Sequence, residues 1–544
     1  MRKKSRRLWK KKWIAMLALM AAGKAWGADS TNSVDDPLLD LFIKKGYVTT
    51  QEASQVEAEA NAQRTNNMAA YPPNQPKWSI VPGIKDMQLF GDVRLRYESR
   101  TAEDPQSRKI ELNRLRFALR FGLRGDASDN FYYGLRIETS ANPRSPWVTM
   151  GTQSGTGTPY QVPFGKSSSG LGLGQIYLGW KWQDYVDITA GAMPNYLYTT
   201  PMVWDNDLNP LGAFERFKYT VGQADLFATF GQFLYVDTNP TATASGYFDF
   251  IPGASSAITS SQLPFMLAWQ GGFNYRITEN ISLKAAPVLY QYLDLRNEGT
   301  PANGGVGPDF DGTFVGQGQV AGATGILGSA DYNLAGGTPG FDGFYSNETG
   351  VNDLLVLDVP AEFNVKLYGV NVRFFGDYAY NFEGVQRAQA AYTASRAGYF
   401  SVTGPGGGTI ETIPSPQTHD VHAYQFGVGI GSRDMDYGPE QGLVYGTQSV
   451  KHGWEIRTYW QHVEQYALDP NLVDSDFFEG RENLQGIYVA FSYALSQNFL
   501  ATVRYGNAQR INPNVGTGGG NQDIPQMNPI SHYQLFQADA TLRF

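Results

Sequence analysis

From Met87 to the C-terminus the chain alternates apolar and polar residues with a period of two. The clearest run is Leu112 to Arg124, where Leu115, Phe117, Leu119, Phe121 and Leu123 interleave with Arg114, Arg116, Ala118, Arg120, Gly122 and Arg124. No helix has that repeat, and a strand buried on both faces could not hold its four arginines. The pattern resumes after a turn at Asp126–Asn130 and recurs in hairpins. Ile176, Leu178, Trp180 and Trp182 lead through Gln183–Tyr185 into Val186, Ile188, Ala190 and Ala192. The last strand sets Phe536, Ala538, Ala540, Leu542 and Phe544 against Gln537, Asp539, Thr541 and Arg543. One face is apolar, the other wet, and no chain remains for a covering helix, which suits a sheet between lipid and water.

The connections alternate in length. Short turns are separated by Gly/Pro/Ser/Asn-rich loops at 140–172, 195–212, 236–263, 296–353, 382–419, 464–482 and 508–531. Membrane barrels carry short turns at one end and long loops at the other. The pattern predicts an all-β membrane fold, an antiparallel transmembrane β-barrel of about 16 strands, starting near 87, 112, 131, 174, 186, 213, 224, 264, 281, 355, 370, 420, 452, 484, 499 and 532. A strand of about ten residues at ~3.3 Å each, tilted by ~45°, rises about 23 Å, enough for the apolar band. Fourteen and eighteen strands are the neighbouring counts, because 213–235, 355–381 and the long 432–451 connection are less regular. Trp180, Trp182, Trp269, Trp454, Trp460 and Tyr505 fall where interfacial girdles would sit, which separates this reading from a soluble secreted β-protein.

The N-terminus is different. Residues 1–27 read as a signal peptide, with a basic n-region, an apolar run at Trp13–Ala22 and a small-residue cleavage site at Ala25-Trp26-Gly27. Residues 28–85 read as a short periplasmic α-helical segment and tether: a helix over Asp35–Lys45, a capping-box start at Thr49 and Glu52, then a Pro/Asn-rich stretch. The barrel occupies 86–544.

Composition narrows the function. The 61 Gly and 74 Phe, Tyr and Trp residues accompany only 42% hydrophobic residues, as expected where every second position faces water. The first 27 residues carry nine Lys/Arg and no acid, so the formal charge of −8 becomes −17 without them, which argues against nucleic-acid binding. No cysteine is present, so disulfides, thiolate-held metals, iron–sulfur clusters and haem thioethers are excluded, and no cofactor is expected.

The polar faces of the first strands hold the candidate chemistry. Asp92, Arg94, Arg96 and Glu98 share one face; Arg114, Arg116, Arg120 and Arg124 share the next; Arg136 and Glu138 follow. Lining a lumen, they form a cationic ladder able to pair with carboxylate or phosphate solutes. The plainer reading is that such charges are usual in a wet barrel and that Arg–acid pairs only stiffen its wall. Asp205, Asp207 and Asn209 in WDNDLNPLG have the one-apart oxygens of a calcium loop, but Pro210 stands where a turn glycine is needed and Arg216 where a bidentate Glu is needed. A rigid Asx/Pro turn at the pore mouth or in the lumen fits better. The cluster Asp469, Asp474 and Asp476 is read the same way. Of five histidines, His462 lies beside Glu464, but there is no G-x-S-x-G elbow and no H-E-x-x-H, so the chain is read as a non-enzyme.

Three segments together carry a resemblance: Leu38–Ala53 (LLDLFIKKGYVTTQEA), WDNDLNPLG, and Gly453–Gly480 (GWEIRTYWQHVEQYALDPNLVDSDFFEG). They resemble the putative porin family of Gram-negative outer membranes, which joins a short periplasmic helical stretch to a single barrel. The resemblance implies passive transport of ions and small hydrophilic solutes and carries over no catalytic residue. The terminal strand also resembles those of outer-membrane barrels, whose final Phe helps the barrel-assembly machinery recognise the chain. Outer-membrane lipid is the implied surround, and a homotrimer is compatible. A structural anchor tied to the cell wall through the N-terminal helices is the alternative function, and a barrel enzyme a remoter one.

Overall fold

The alternation becomes a closed ring of strands. The computed structural model describes residues 84–140, 145–150, 170–234, 265–293, 314–315, 349–350, 354–397, 414–432, 451–517, 523–524, 527 and 529–544. The signal peptide and helical segment expected over 1–83, and the connection expected over 433–450, lie outside them.

The strands are β1 (Gln88–Glu103), β2 (Lys109–Asp126), β3 (Phe131–Ser140), β4 (Gly170–Trp182), β5 (Val186–Ala192), β6 (Leu211–Val221), β7 (Ala224–Leu234) and β8 (Phe265–Thr278). Then come β9 (Ile281–Ala285 and Val288–Leu293), β10 (Leu355–Asp358 and Ala361–Leu367), β11 (Val370–Asn381), β12 (His422–Ser432), β13 (Trp454–Val463), β14 (Leu484–Ala494), β15 (Phe499–Arg510) and β16 (His532–Arg543). Each pairs antiparallel with its sequence neighbours, and β16 pairs with β1 from Asp92↔Arg543 to Glu103↔His532. The sixteen expected strands are the strands observed, with starts displaced by four residues at most. The breaks in β9 and β10 have one cause. Pro287 and Pro360 lack the N–H a ladder needs, and they interrupt the two strands at the same level, since Ala286 N donates to Pro360 O.

Burial follows the sequence parity. Leu95, Leu115, Leu178, Phe374 and Phe426 are each at least half exposed on the outer face. Arg96, Glu98, Gln270, Arg373 and Gln537 are buried on the inner one. This inverts a soluble protein's pattern and is what a barrel in lipid requires. The girdle residues lie on the outer face, with Trp182, Trp269 and Tyr505 the most exposed of them.

One element was missed. Gly384–Ala397, within the stretch read as an irregular loop, forms helix α1. Its sequence GVQRAQAAYTASRA is rich in the strongest helix former, but the flanking glycines and prolines outweighed that signal.

Candidate functional site: the charged barrel interior

Alternation sends the even-numbered polar side chains of β1–β3 inward, and register decides which meet. Glu98 lies opposite Arg114 and Gln537. Its carboxylate meets Arg114 at 2.5 Å, Arg100 at 3.0 Å and Arg116 at 3.7 Å. Arg96 forks onto Asp539 at 2.8 and 2.9 Å, and its guanidinium lies 4.0 Å over the Trp147 ring. Asp92 pairs with Arg94. Glu138 takes Arg120 at 3.2 Å and Arg136 at 3.0 Å. Arg124, near the turn end, lies 5.1 Å over Phe90. The ten residues named for this wall share one parity across β1–β3. The ladder is not a bare cationic stripe: acids are set between the arginines, as burial of guanidinium groups demands.

Loop 193–210 folds into the barrel. The Asp205 carboxylate accepts from the Asp207 N–H at 2.9 Å, closing the Asx turn expected of WDNDLNPLG. Asp207 then pairs with Arg120 on β2. Asn209 accepts from Gln175 on β4 at 2.8 Å and from Arg136 on β3 at 3.3 Å. Gln270 on β8 bonds both the N–H and the carbonyl of Tyr198 at 2.8 Å, and Thr200 donates to Asp377 on β11. Trp204, Met202 and Leu197 are buried in the interior cluster. The loop is therefore strapped to walls on both sides.

Two more connections fold inward. In 464–483, Asp476 meets Arg96 at 2.7 Å, and Phe477 packs with Phe478, Tyr459 and Tyr488. Ser475 donates to Asp205 through N–H and hydroxyl, joining this loop to the first. Arg481 donates to the carbonyls of Thr517, Ile524 and Met527, and Asp523 pairs with Arg100 at 3.1 Å and Arg114 at 2.6 Å, which ties in the connection before β16. Sequence reading missed Arg100, Asp523 and Asp377. Arg100 could have been found, since it continues the parity of Arg96 and Glu98.

The loop acids divide. Burial, then the charges of Asp207 and Asp476, push the Asp205 carboxyl up to about 7. Burial and Asp205 likewise raise Asp474 well above the usual carboxylate range. Burial also works to raise Asp476, but Arg96, Arg504 and Arg100 overcome it and hold that carboxyl below the usual range.

The weak metal candidates do not converge. Asp205 is engaged by Ser475, Asp207 by Arg120, and Asn209 by Gln175 and Arg136. Among the described residues no group of three or more His, Asp or Glu side chains is placed to hold a metal ion. His462 lies on the outward parity, as expected, stacked on Tyr424 at 4.6 Å, with its two ring nitrogens on Gln485 at 3.1 Å and Glu464 at 3.3 Å.

A sixteen-stranded barrel with an apolar exterior, a charged interior and inward-folded loops defines an outer-membrane barrel of the porin class. The chain belongs to the putative porin family, whose model matches residues 106–544. It is an outer-membrane protein with a general porin role, and that membership points to a channel rather than an enzyme. A search of the curated proteins found no match. Among solved structures, the chain is similar to OmpF of Salmonella typhi, at 9% identity over 85% of this chain and 98% of that one, with a TM-score of 0.39. It is also similar to in-vitro folded OmpT of Vibrio cholerae, at 8% identity over 84% and 97%, with a TM-score of 0.34.

Proposed function

We propose that the chain lets ions and small hydrophilic solutes diffuse passively across the outer membrane through the barrel interior. Asp92, Arg94, Arg96, Glu98, Arg114, Arg116, Arg120, Arg124, Arg136 and Glu138 line one side of the path. The observation that carries this reading is the strap formed by loop 193–210, held at Asp207 by Arg120 and at Thr200 by Asp377 on a distant wall. A segment fixed inside a water-facing lumen sets the size of solute that passes, and the charges around it bias which ions do. Recognition by the barrel-assembly machinery through β16 and its terminal Phe544 belongs to the same reading.

Liposome swelling tests the sieve. Proteoliposomes should admit sugars at rates that fall with sugar size, and Thr200→Val, which cuts one tie, should raise the size limit. Swelling no faster than in protein-free liposomes would overturn the reading.

A further inference from the structure

On the inner wall formed by β9–β12, two carboxylates lie together with no basic side chain between them. Register sets the patch. Asp358 on β10 faces Ala379 on β11, so Asp377, two residues earlier, is its diagonal neighbour on the same inward face. On the other side Val288 of β9 faces Asp358, which makes Tyr290 the matching diagonal. Gln425 on β12 lies directly opposite Asp377. The strap adds Thr199 and Thr200, the latter donating to Asp377. All six residues are at most 6% exposed. The two carboxyl groups touch, and among the described residues no Lys, Arg or His pairs with either. Arg373, on the same face of β11, turns to Glu362 at 3.5 Å. Both Asp358 carboxylate oxygens, Asp377 Oδ1, the Thr199 and Tyr290 hydroxyls and the Gln425 amide complete no hydrogen bond.

We infer that this patch is a binding site for one divalent cation of the calcium type, with Asp358 and Asp377 as its anionic ligands. Charge is the first argument. A buried carboxylate needs donors or an opposite charge, and two in contact repel each other. Water satisfies lone pairs but leaves two like charges in place, whereas a doubly charged cation neutralises both. The donor set then selects the ion. Carboxylate, hydroxyl and amide oxygens gather here without a nitrogen or sulfur ligand, which favours a hard cation over zinc or copper. Magnesium keeps several waters in a strict octahedron. Calcium accepts about six to eight oxygens in a looser arrangement, and a patch of deeply buried protein oxygens suits it better. The competing arrangement is one proton shared between the two carboxyl groups. It leaves the Thr199, Tyr290 and Gln425 groups as unpartnered as before. Thr199 comes from the strap and the two aspartates from the wall. The bound ion therefore fastens loop 193–210 at the end where Thr200 meets Asp377.

The test is calcium binding by the refolded full chain in detergent, free of lipopolysaccharide and stripped with a chelator. Equilibrium dialysis with radioactive calcium measures it, and heat-modifiable gel migration checks folding. The expected result is a single ion per chain that an equal concentration of magnesium does not displace. Asp358→Asn and Asp377→Asn keep the side-chain shape and should each weaken binding roughly tenfold or more. Thr199→Val should weaken it to a lesser degree. Asp225→Asn, whose carboxylate pairs with Arg276 elsewhere on the wall, should leave it unchanged. A readout on the unaltered chain covers the case of variants that do not fold. The Val203 and Trp204 N–H groups donate to Thr200 O at 3.1 and 3.0 Å. Calcium should slow their hydrogen exchange by roughly threefold or more. No calcium bound by the folded chain, binding kept by both aspartate variants, or bound calcium that leaves exchange at 203 and 204 unchanged overturns the inference. The first of these outcomes assigns a shared proton to the pair instead.

Discussion

Arg96 on β1 and Asp476 in the connection between β13 and β14 lie 2.7 Å apart although 380 residues separate them. Arg96 also forks onto Asp539 on the closing strand, so one guanidinium joins the first strand, the last strand and an inward loop. Asp476→Asn leaves Arg96 its second carboxylate and should cost about 1–3 kcal/mol. Arg96→Met leaves two acids without their shared cation and should cost about 3–5 kcal/mol. Guanidinium unfolding curves of the two variants check the order; equal costs would contradict it.

Loop docking should depend on pH through Asp205, whose carboxyl is pushed up to about 7. An acid raised in the folded state contributes stability that is complete below its unfolded value, ~3.9, and is lost as pH rises through the folded one. The window therefore runs from about pH 4 to just above 7, with docking weakest on the alkaline side. The Asp205 N–H, which donates to Leu472 O at 2.6 Å, reports it. Its hydrogen-exchange protection, corrected for intrinsic rate, should fall as pH rises through neutrality, and Asp205→Asn should flatten the dependence. A protection that rises with pH would contradict the assignment.

Much of this was legible because a barrel's two faces see opposite solvents. Strand by strand, parity assigned Asp539 and Gln537 to the same interior as Arg96 and Glu98, and both meet them there. The turn at Asp205–Asp207 was legible because its hydrogen bond is local. What parity cannot give is the partner of each inward group. Thr200 with Asp377, and Asp523 with Arg100, are joined by loops whose course depends on the closed barrel. Helix α1 was hidden for a different reason, since its Ala-rich stretch sits inside a long segment of loop composition.

Barrel closure should be sensitive at Gly91. Its N–H and carbonyl bond Phe544 at 2.9 and 3.0 Å, and a Cβ there would come within 2.4 Å of Arg120 O and 2.7 Å of the Phe544 ring. Gly91→Ala should destabilise by about 1–3 kcal/mol through overpacking, or lower the folded yield. The heat-modifiable fraction after refolding measures this; a wild-type fraction with an unchanged unfolding midpoint would show that the seam tolerates a methyl group.

Charge selectivity should respond to Asp207. It is partly exposed and pairs with Arg120 on β2. Asp207→Asn removes one negative charge from the path and leaves Arg120 only its pair with Glu138, so the reversal potential in a salt gradient should move toward anions. No shift would place Asp207 away from the ions' route.

Single-channel recording of the refolded protein in a planar bilayer, under a salt gradient, tests the central claim most directly. The account predicts stable open steps with a reversal potential fixed by the interior charges. Heat-modifiable, folded barrels that insert yet give no conductance steps would contradict it, and would make the inward loops a plug.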